Sequence, residues 1–274
     1  ILHRCGIITQ LIKKVKLLGL VLSVFLIAGP LLALGEVKIM GKAWWEASRQ
    51  SSGISPNPDE VMEAVIQVFA ARAFSWRGIF GVHTWIAVKP TNASEYTVYQ
   101  LVGWRLRRGE DPVVIQRDIP DRLWYDAVPE LLVDVRGEGV DELIKKIDKA
   151  AKTYPYRNTY SVWPGPNSNT FIAWIGRIVP ELRLDLPPTA IGKDWLGKTN
   201  FFSSTPSGTG YQFSVLGLFG ILIGVEEGLE INILGLNFGI DVFDMSLRLP
   251  GIGRLGFSQT IGPRTLLKQN SQQL

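Results

Sequence analysis

Val82-His-Thr-Trp-Ile-Ala-Val-Lys89, then Pro90-Thr-Asn-Ala-Ser94, then Glu95-Tyr-Thr-Val-Tyr-Gln-Leu-Val-Gly-Trp104 is the stretch on which the fold turns. Two runs rich in β-branched and aromatic residues flank a cluster of turn formers, the pattern of a β-hairpin. Pro112–Arg117 reads as a third strand beside it. Upstream, Asp59 follows Pro58, and Val61, Val65, Val68 and Phe69 fall at helical spacing, so a helix from Asp59 to about Phe74 is expected. Downstream, Gly139–Tyr154 places Leu143, Ile147, Ala150 and Ala151 on one face and Lys145, Lys146 and Lys149 on the other, the mark of an amphipathic helix that Pro155 ends.

Trp163-Pro-Gly-Pro-Asn-Ser-Asn-Thr-Phe171 leads into the apolar run Ile172–Ile178. Pro and Gly, then Asn and Ser, then apolar residues describe a tight loop that feeds a helix N-terminus. Pro180–Pro188 closes this unit. From 189 to 262 the texture changes, with Gly every few residues between the apolar runs Phe213–Val225, Leu229–Leu236 and Phe238–Phe243, which favours short β-strands. The polar tail, 263–274, is expected to fray.

The charge is uneven. Residues 1–35 hold Arg4, Lys13, Lys14 and Lys16 and no acid, which is the whole formal +4; the remainder balances 25 basic against 25 acidic residues. A basic face able to neutralise phosphates is therefore not expected in the body, and nucleic acid is not an expected partner. Leu17–Leu34 is an uncharged run of 18 residues behind Lys13, Lys14 and Lys16. As a helix it would span roughly 27 Å, enough for a bilayer core, with the basic flank on the cytoplasmic side. The body is then expected outside the cytoplasm, on the periplasmic side of a bacterial inner membrane. The run serves as an uncleaved anchor, or as a signal peptide cut near Ala33-Leu34-Gly35, which would release a secreted body. Trp44 and Trp45 fit a membrane–water interface, and Ser51–Pro58 reads as linker. The expected organisation is a membrane helix over 1–35, a linker over 36–58, an α+β domain over 59–188, a Gly-rich β extension over 189–262 and a tail.

The only cysteine, Cys5, and one of two histidines, His3, belong to the leader. A thiol-free body with His83 alone offers no disulfide, cysteine nucleophile or zinc site of the usual kinds, and no cofactor is expected. The chemistry left is that of His83 and the Asn167-Ser168-Asn169 loop. A serine hydroxyl becomes a nucleophile when an imidazole takes its proton, and a helix N-terminus can stabilise an oxyanion. In this reading Ser168 is the nucleophile and His83 the base. Asn167, Asn169 or the backbone N–H groups at 168–170 would serve the oxyanion, and Tyr99, Gln100 or Glu95 would orient the imidazole. The plainer reading makes Asn167–Thr170 a structural cap and His83 a hydrogen-bonded strand residue. Glu226, Glu227 and Glu230 suit a solvated turn better than a metal site, Ser207-Gly-Thr-Gly210 a turn better than a phosphate loop, and Lys145-Lys146 and Arg105–Arg108 short solvated faces. Asn92-Ala-Ser94 fits a glycosylation sequon, which means little if the source is bacterial.

His83-Thr-Trp85, Val102-Gly-Trp104, Tyr154-Pro-Tyr156, Trp163–Phe171, Leu186-Pro-Pro188, Ile191-Gly-Lys-Asp194 and Leu249-Pro-Gly-Ile-Gly-Arg254 together resemble one uncharacterised family of bacterial proteins, over roughly residues 70–255. More distantly, a His at a strand start followed by Asn-x-x-x-Phe at a helix N-terminus is similar to circularly permuted papain-like proteins of the lecithin:retinol acyltransferase-like and PPPDE types. That resemblance implies a permuted papain-like body, with Ser168 where those families carry the catalytic cysteine. The expected activity is a serine-dependent amide or ester hydrolase or acyltransferase of the envelope. The alternatives are a non-catalytic, membrane-tethered module that binds a peptide, lipid or cell-wall fragment, and a purely structural envelope protein.

Overall fold

The computed structural model describes residues 43–256 and 262–266, together with positions 10, 13, 14, 16 and 17. Apart from Leu17, the apolar run 17–34 lies outside the described residues, as do Cys5, His3 and the 33–35 cleavage site. Among the described residues no helix is long and apolar enough to cross a membrane.

Among the described residues two antiparallel sheets and two α-helices form an α+β fold. The first sheet comprises β1 (Val65–Arg72), β2 (Val82–Lys89), β3 (Thr97–Leu101), β4 (Val113–Arg117) and β5 (Glu130–Arg136), in the order β4-β3-β2-β1-β5. The hairpin and the third strand form where the sequence places them. The helix expected over 59–74 does not: Asn57–Glu60 is a turn, and β1 takes its place between β2 and β5. Val65, Val68 and Phe69 of the expected helical stripe belong to a strand buried on both faces, whose Val and Ile content suits a sheet, while Val61 precedes it. β5 had no counterpart in the sequence reading.

Alternation along the strands builds two cores. Ile66, Val68, Ala70, Ile86, Val88, Tyr99 and Leu101 face α1 (Val140–Lys152) and α2 (Ser168–Ile178). Val65, Phe69, Ala71, Trp85, Ala87 and Val98 face the other way and meet Trp124, with Ile54, Val61 and Tyr125 packed at the margin. The segment read as a linker is therefore a strap over this second core. Buried Asp121 pins it, accepting from Ser51 Oγ at 2.7 Å and from the Ile54 and Ser55 amides at 2.6 and 3.1 Å.

The Gly-rich extension forms a seven-stranded meander: β6 (Phe202–Ser204), β7 (Gly210–Val215), β8 (Phe219–Gly224), β9 (Gly228–Ile233), β10 (Leu236–Asp241), β11 (Ser246–Leu249) and β12 (Gly253–Leu255). Its buried face is polar, bearing Gln212, Ser214, Glu230, Asn232, Asn237, Ser246 and Arg248, and it packs on α2 and the segment that follows. Asp194 accepts from Gln212 Nε2, Asn232 Nδ2 and Asn237 Nδ2 at 2.8, 3.0 and 2.8 Å. Glu230 pairs with Lys193, and with Arg248 at 2.8 Å, while Arg248 also reaches Asp185 at 2.9 Å. Lys193, Glu230, Arg248 and Asp185 thus each have an opposite partner, the condition under which charges are tolerated inside a protein.

Candidate functional site

His83 lies on the odd face of β2 with Trp85, turned away from α2. Its ring stacks on Trp124 at 3.8 Å between centroids, and its Nε2 is 3.1 Å from Gln100 Oε1. Gln100 comes from β3 on the same face. Burial pushes the His83 pKa down from 6.5 to about 4, against the smaller opposing effect of the Gln100 hydrogen bond. The ring is therefore neutral near pH 7. With the amide oxygen as acceptor, the assigned tautomer carries its proton on Nε2, which donates to Gln100 and leaves the Gln100 NH2 free to point elsewhere.

Gln100 lines a cavity of about 170 Å³ together with Trp104, Trp124, Arg49, Arg105 and Arg122. Trp104 and Trp124 stand 6.4 Å apart. Arg49 lies over the Tyr125 ring at 4.5 Å, and Arg105 pairs with Glu110 at 3.2 Å. Arg122 binds Asp118 through Nη2, but its Nε is buried with no hydrogen-bond partner among the described residues. A buried N–H without an acceptor costs about 1–3 kcal/mol. The arginines of 105–108, read from sequence as a solvated face, thus contribute Arg105 and Arg108 to a concave surface, because the 3-10 turn Gly103–Arg108 rolls them over the rim of β3.

Ser168 is not brought to His83. Thr84, next along β2, points the opposite way and donates from Oγ1 to Asn169 Oδ1 at 3.0 Å, so α2 lies on the even face of the sheet and the imidazole on the odd face. The order along the chain matches the expected one, but the five-stranded sheet separates the two groups. Ser168 is buried at the first turn of α2, and its hydroxyl makes no hydrogen bond among the described residues. Asn167 caps α2, accepting from the Asn169 and Thr170 amides at 2.9 and 3.2 Å, and donates to Ile191 O at 2.9 Å. Asn169 donates to Val82 O at 3.0 Å and to Ile191 O at 2.8 Å. The loop is a junction between β2, α2 and residues 191–192. Its side-chain amides are spent on backbone groups and leave no donor for an oxyanion. Gly192 sits at φ +96°, and a Cβ there would meet the Asn167 amide at 2.4 Å.

Of the proposed orienting groups, only Gln100 reaches His83. Tyr99 faces the helices, where its hydroxyl donates to Asp148 at 3.3 Å, and Glu95 pairs with Arg117 at the exposed hairpin end at 2.6 Å. Glu227 and Glu230 are buried and not solvated as expected. Glu227 accepts from the Ser207 amide at 3.0 Å and its hydroxyl at 2.8 Å, which makes 207–210 a carboxylate-bound turn. Among the described residues no group of three or more His, Cys, Asp and Glu could hold a metal ion. The residues missed by the sequence reading are Arg49, from the segment ahead of β1, and Arg122 and Trp124, from the one connection between β4 and β5.

The first sheet packs on a helix pair, the second sheet on α2 and residues 182–195, and an aromatic, arginine-lined cavity opens on the face of the first sheet away from the helices. Residues 63–195, the first sheet through Trp195, match the model of a family described as a protein of unknown function (DUF3750). The seven-stranded sheet lies beyond the match. No curated protein and no solved structure matches the chain.

Proposed function

We propose that the protein is a non-catalytic binding module for a small anionic ligand with a flat apolar part, held in the cavity over His83 and Gln100. The observation that carries this is the convergence of Arg49, Arg105, Arg108 and Arg122 with Gln100, Trp104 and Trp124 on the lining of one cavity. A carboxylate or phosphate would be attracted by these guanidinium groups, with the Gln100 amide in the same lining. Trp104 and Trp124 offer faces on which an apolar ring can stack. The neutral His83 acts here as a fixed donor that orients Gln100, a role that needs no nucleophile. A body held outside the cytoplasm by an apolar leader would present this cavity to the envelope.

The test is phenyl phosphate binding to the full chain, followed by quenching of Trp104 and Trp124 fluorescence. Saturable quenching is expected, and Arg122→Gln should weaken it about tenfold, the equivalent of ~1.4 kcal/mol. Equal binding of uncharged benzyl alcohol, or an unchanged affinity in Arg122→Gln, would remove the basis of the reading.

A further inference from the structure

The second sheet is inverted with respect to a soluble β-layer: apart from Leu222 its inner face is polar, and its other large apolar side chains lie on the outer face. The register draws the exposed face as three rows. Tyr211, Ile223, Leu229, Ile240, Leu247 and Leu255 stand side by side across β7 to β12. Phe202, Phe213, Ile221, Ile231 and Phe238 form the second row, and Val215, Phe219, Ile233 and Leu236 the third. Tyr211 is 82% exposed and Ile223 59%. No charged side chain stands in any row. The β10–β11 turn continues the face, with Val242, Phe243 and Met245 all about 70% exposed. At roughly 4.8 Å between strands and 3.4 Å per residue, seven strands of up to six residues cover on the order of 600 Å². Isolated apolar residues on a surface are ordinary, but a contiguous patch of this size marks a surface that is covered in use.

We infer that this face lies on a lipid bilayer. The chain ahead of the body supplies the argument for that occupant. The uncharged run Leu17–Leu34, behind three lysines, is of bilayer length, and eight residues, 35–42, separate it from Ala43, where the described body begins. Eight extended residues reach at most about 30 Å, so a run seated in a membrane keeps the body at that membrane's surface. The face has the composition for shallow immersion: aliphatic rows, Phe202, Phe219 and Phe243 at its margins, and Tyr211 with an apolar ring and a polar tip. Its lack of lysine and arginine means that it does not select anionic lipids, so a zwitterionic surface suffices. Immersion is shallow because the unpaired edges of β6 and β12 need water or headgroups for their backbone groups.

The experiment uses the full chain with Cys5→Ser, carrying one cysteine labelled with an environment-sensitive fluorophore, in phosphatidylcholine vesicles. The labelled sites are Ile223→Cys and Ile240→Cys on the face, and Lys145→Cys on the exposed side of α1 as control. Blue-shifted emission at 223 and 240, quenched by a nitroxide on the upper acyl chain, with neither effect at 145, is the expected result. Ile221→Glu with Ile231→Glu, both at exposed positions, should return the label at 240 to a water-like emission without shifting the urea midpoint. Water-like, unquenched labels at 223 and 240 would overturn the inference. So would labels shielded from lipid nitroxide whose unlabelled cysteines crosslink between chains, which would assign the face to a second copy. Shielding with neither lipid quenching nor crosslinking would assign it to the chain's own N-terminal run, and would equally overturn the bilayer.

Discussion

The His83 ring is 7% exposed, and its pKa is held at about 4 instead of 6.5. The unfolded chain therefore binds more protons than the folded one between these two values, and stability rises with pH through that window. The full difference, 2.5 units at ~1.36 kcal/mol each, is about 3 kcal/mol. Between about pH 7 and about pH 4.5 the linkage relation removes roughly 2 kcal/mol of it. Carboxylates also titrate there, so the His83 share must be isolated by difference. His83→Gln keeps a hydrogen-bonding amide at the position but cannot titrate. Urea unfolding of both chains at the two pH values should show wild type losing about 2 kcal/mol more than the variant on acidification. Parallel losses, within about 0.5 kcal/mol, would refute the argument, because the imidazole would then be no harder to protonate folded than unfolded. A ring pKa near 6.5, followed by proton resonance shifts, would refute it independently.

Glu230→Gln should leave Lys193, whose charged form is held against burial by Asp194 and Glu230, facing a neutral amide; a loss of about 3 kcal/mol or more is expected in urea unfolding. An effect under about 1 kcal/mol would show that the network is solvated. At the α2 junction, Asn167→Ala should cost about 2 kcal/mol through the lost cap and orphaned amides, whereas Ser168→Ala should change neither stability nor phenyl phosphate binding. Loss of binding in Ser168→Ala would return the serine to a functional role. Asp121→Ala should free the strap over the second core, costing about 2 kcal/mol and raising proteolytic cleavage within 48–58. Unchanged cleavage would mean that packing alone holds the strap.

The hairpin, α1, the capped start of α2 and the β character of the extension were legible, because turn chemistry and periodicity act locally. β1 was misread because a strand buried on both faces carries no alternation, and Val65, Val68 and Phe69 satisfy a helical stripe equally well. The extension exposed a different limit. Tyr211 and Phe213 alternate with Gln212 and Ser214, and Ile231 with Glu230 and Asn232, so two faces were visible in the sequence. Which face turns inward depends on Lys193, Asp194 and Arg177, residues that wait on another layer with their own unpaired charge and hydrogen-bonding capacity. The site divided along the same line. His83 and Gln100 were readable as neighbours on one hairpin. The serine pairing failed on parity, since Thr84 and not His83 is the β2 residue that looks toward α2. Arg49, Arg122 and Trp124 carry no shared motif that could have grouped them.

The polar underside of the second sheet also has a kinetic side. A slip of one residue in any of its hairpins would turn aliphatic side chains onto Lys193 and Asp194 and lift carboxylates into the open. A slip is costly in any sheet with one buried face; here it also takes Glu230 from Lys193 and the side-chain amides of Gln212, Asn232 and Asn237 from Asp194. The meander therefore has a proofreading template beneath it, and its strands should lock into register only after α2 and residues 185–195 are in place. Until then, the same seven strands are a sticky ribbon, and the first surface they meet decides whether the chain matures or aggregates.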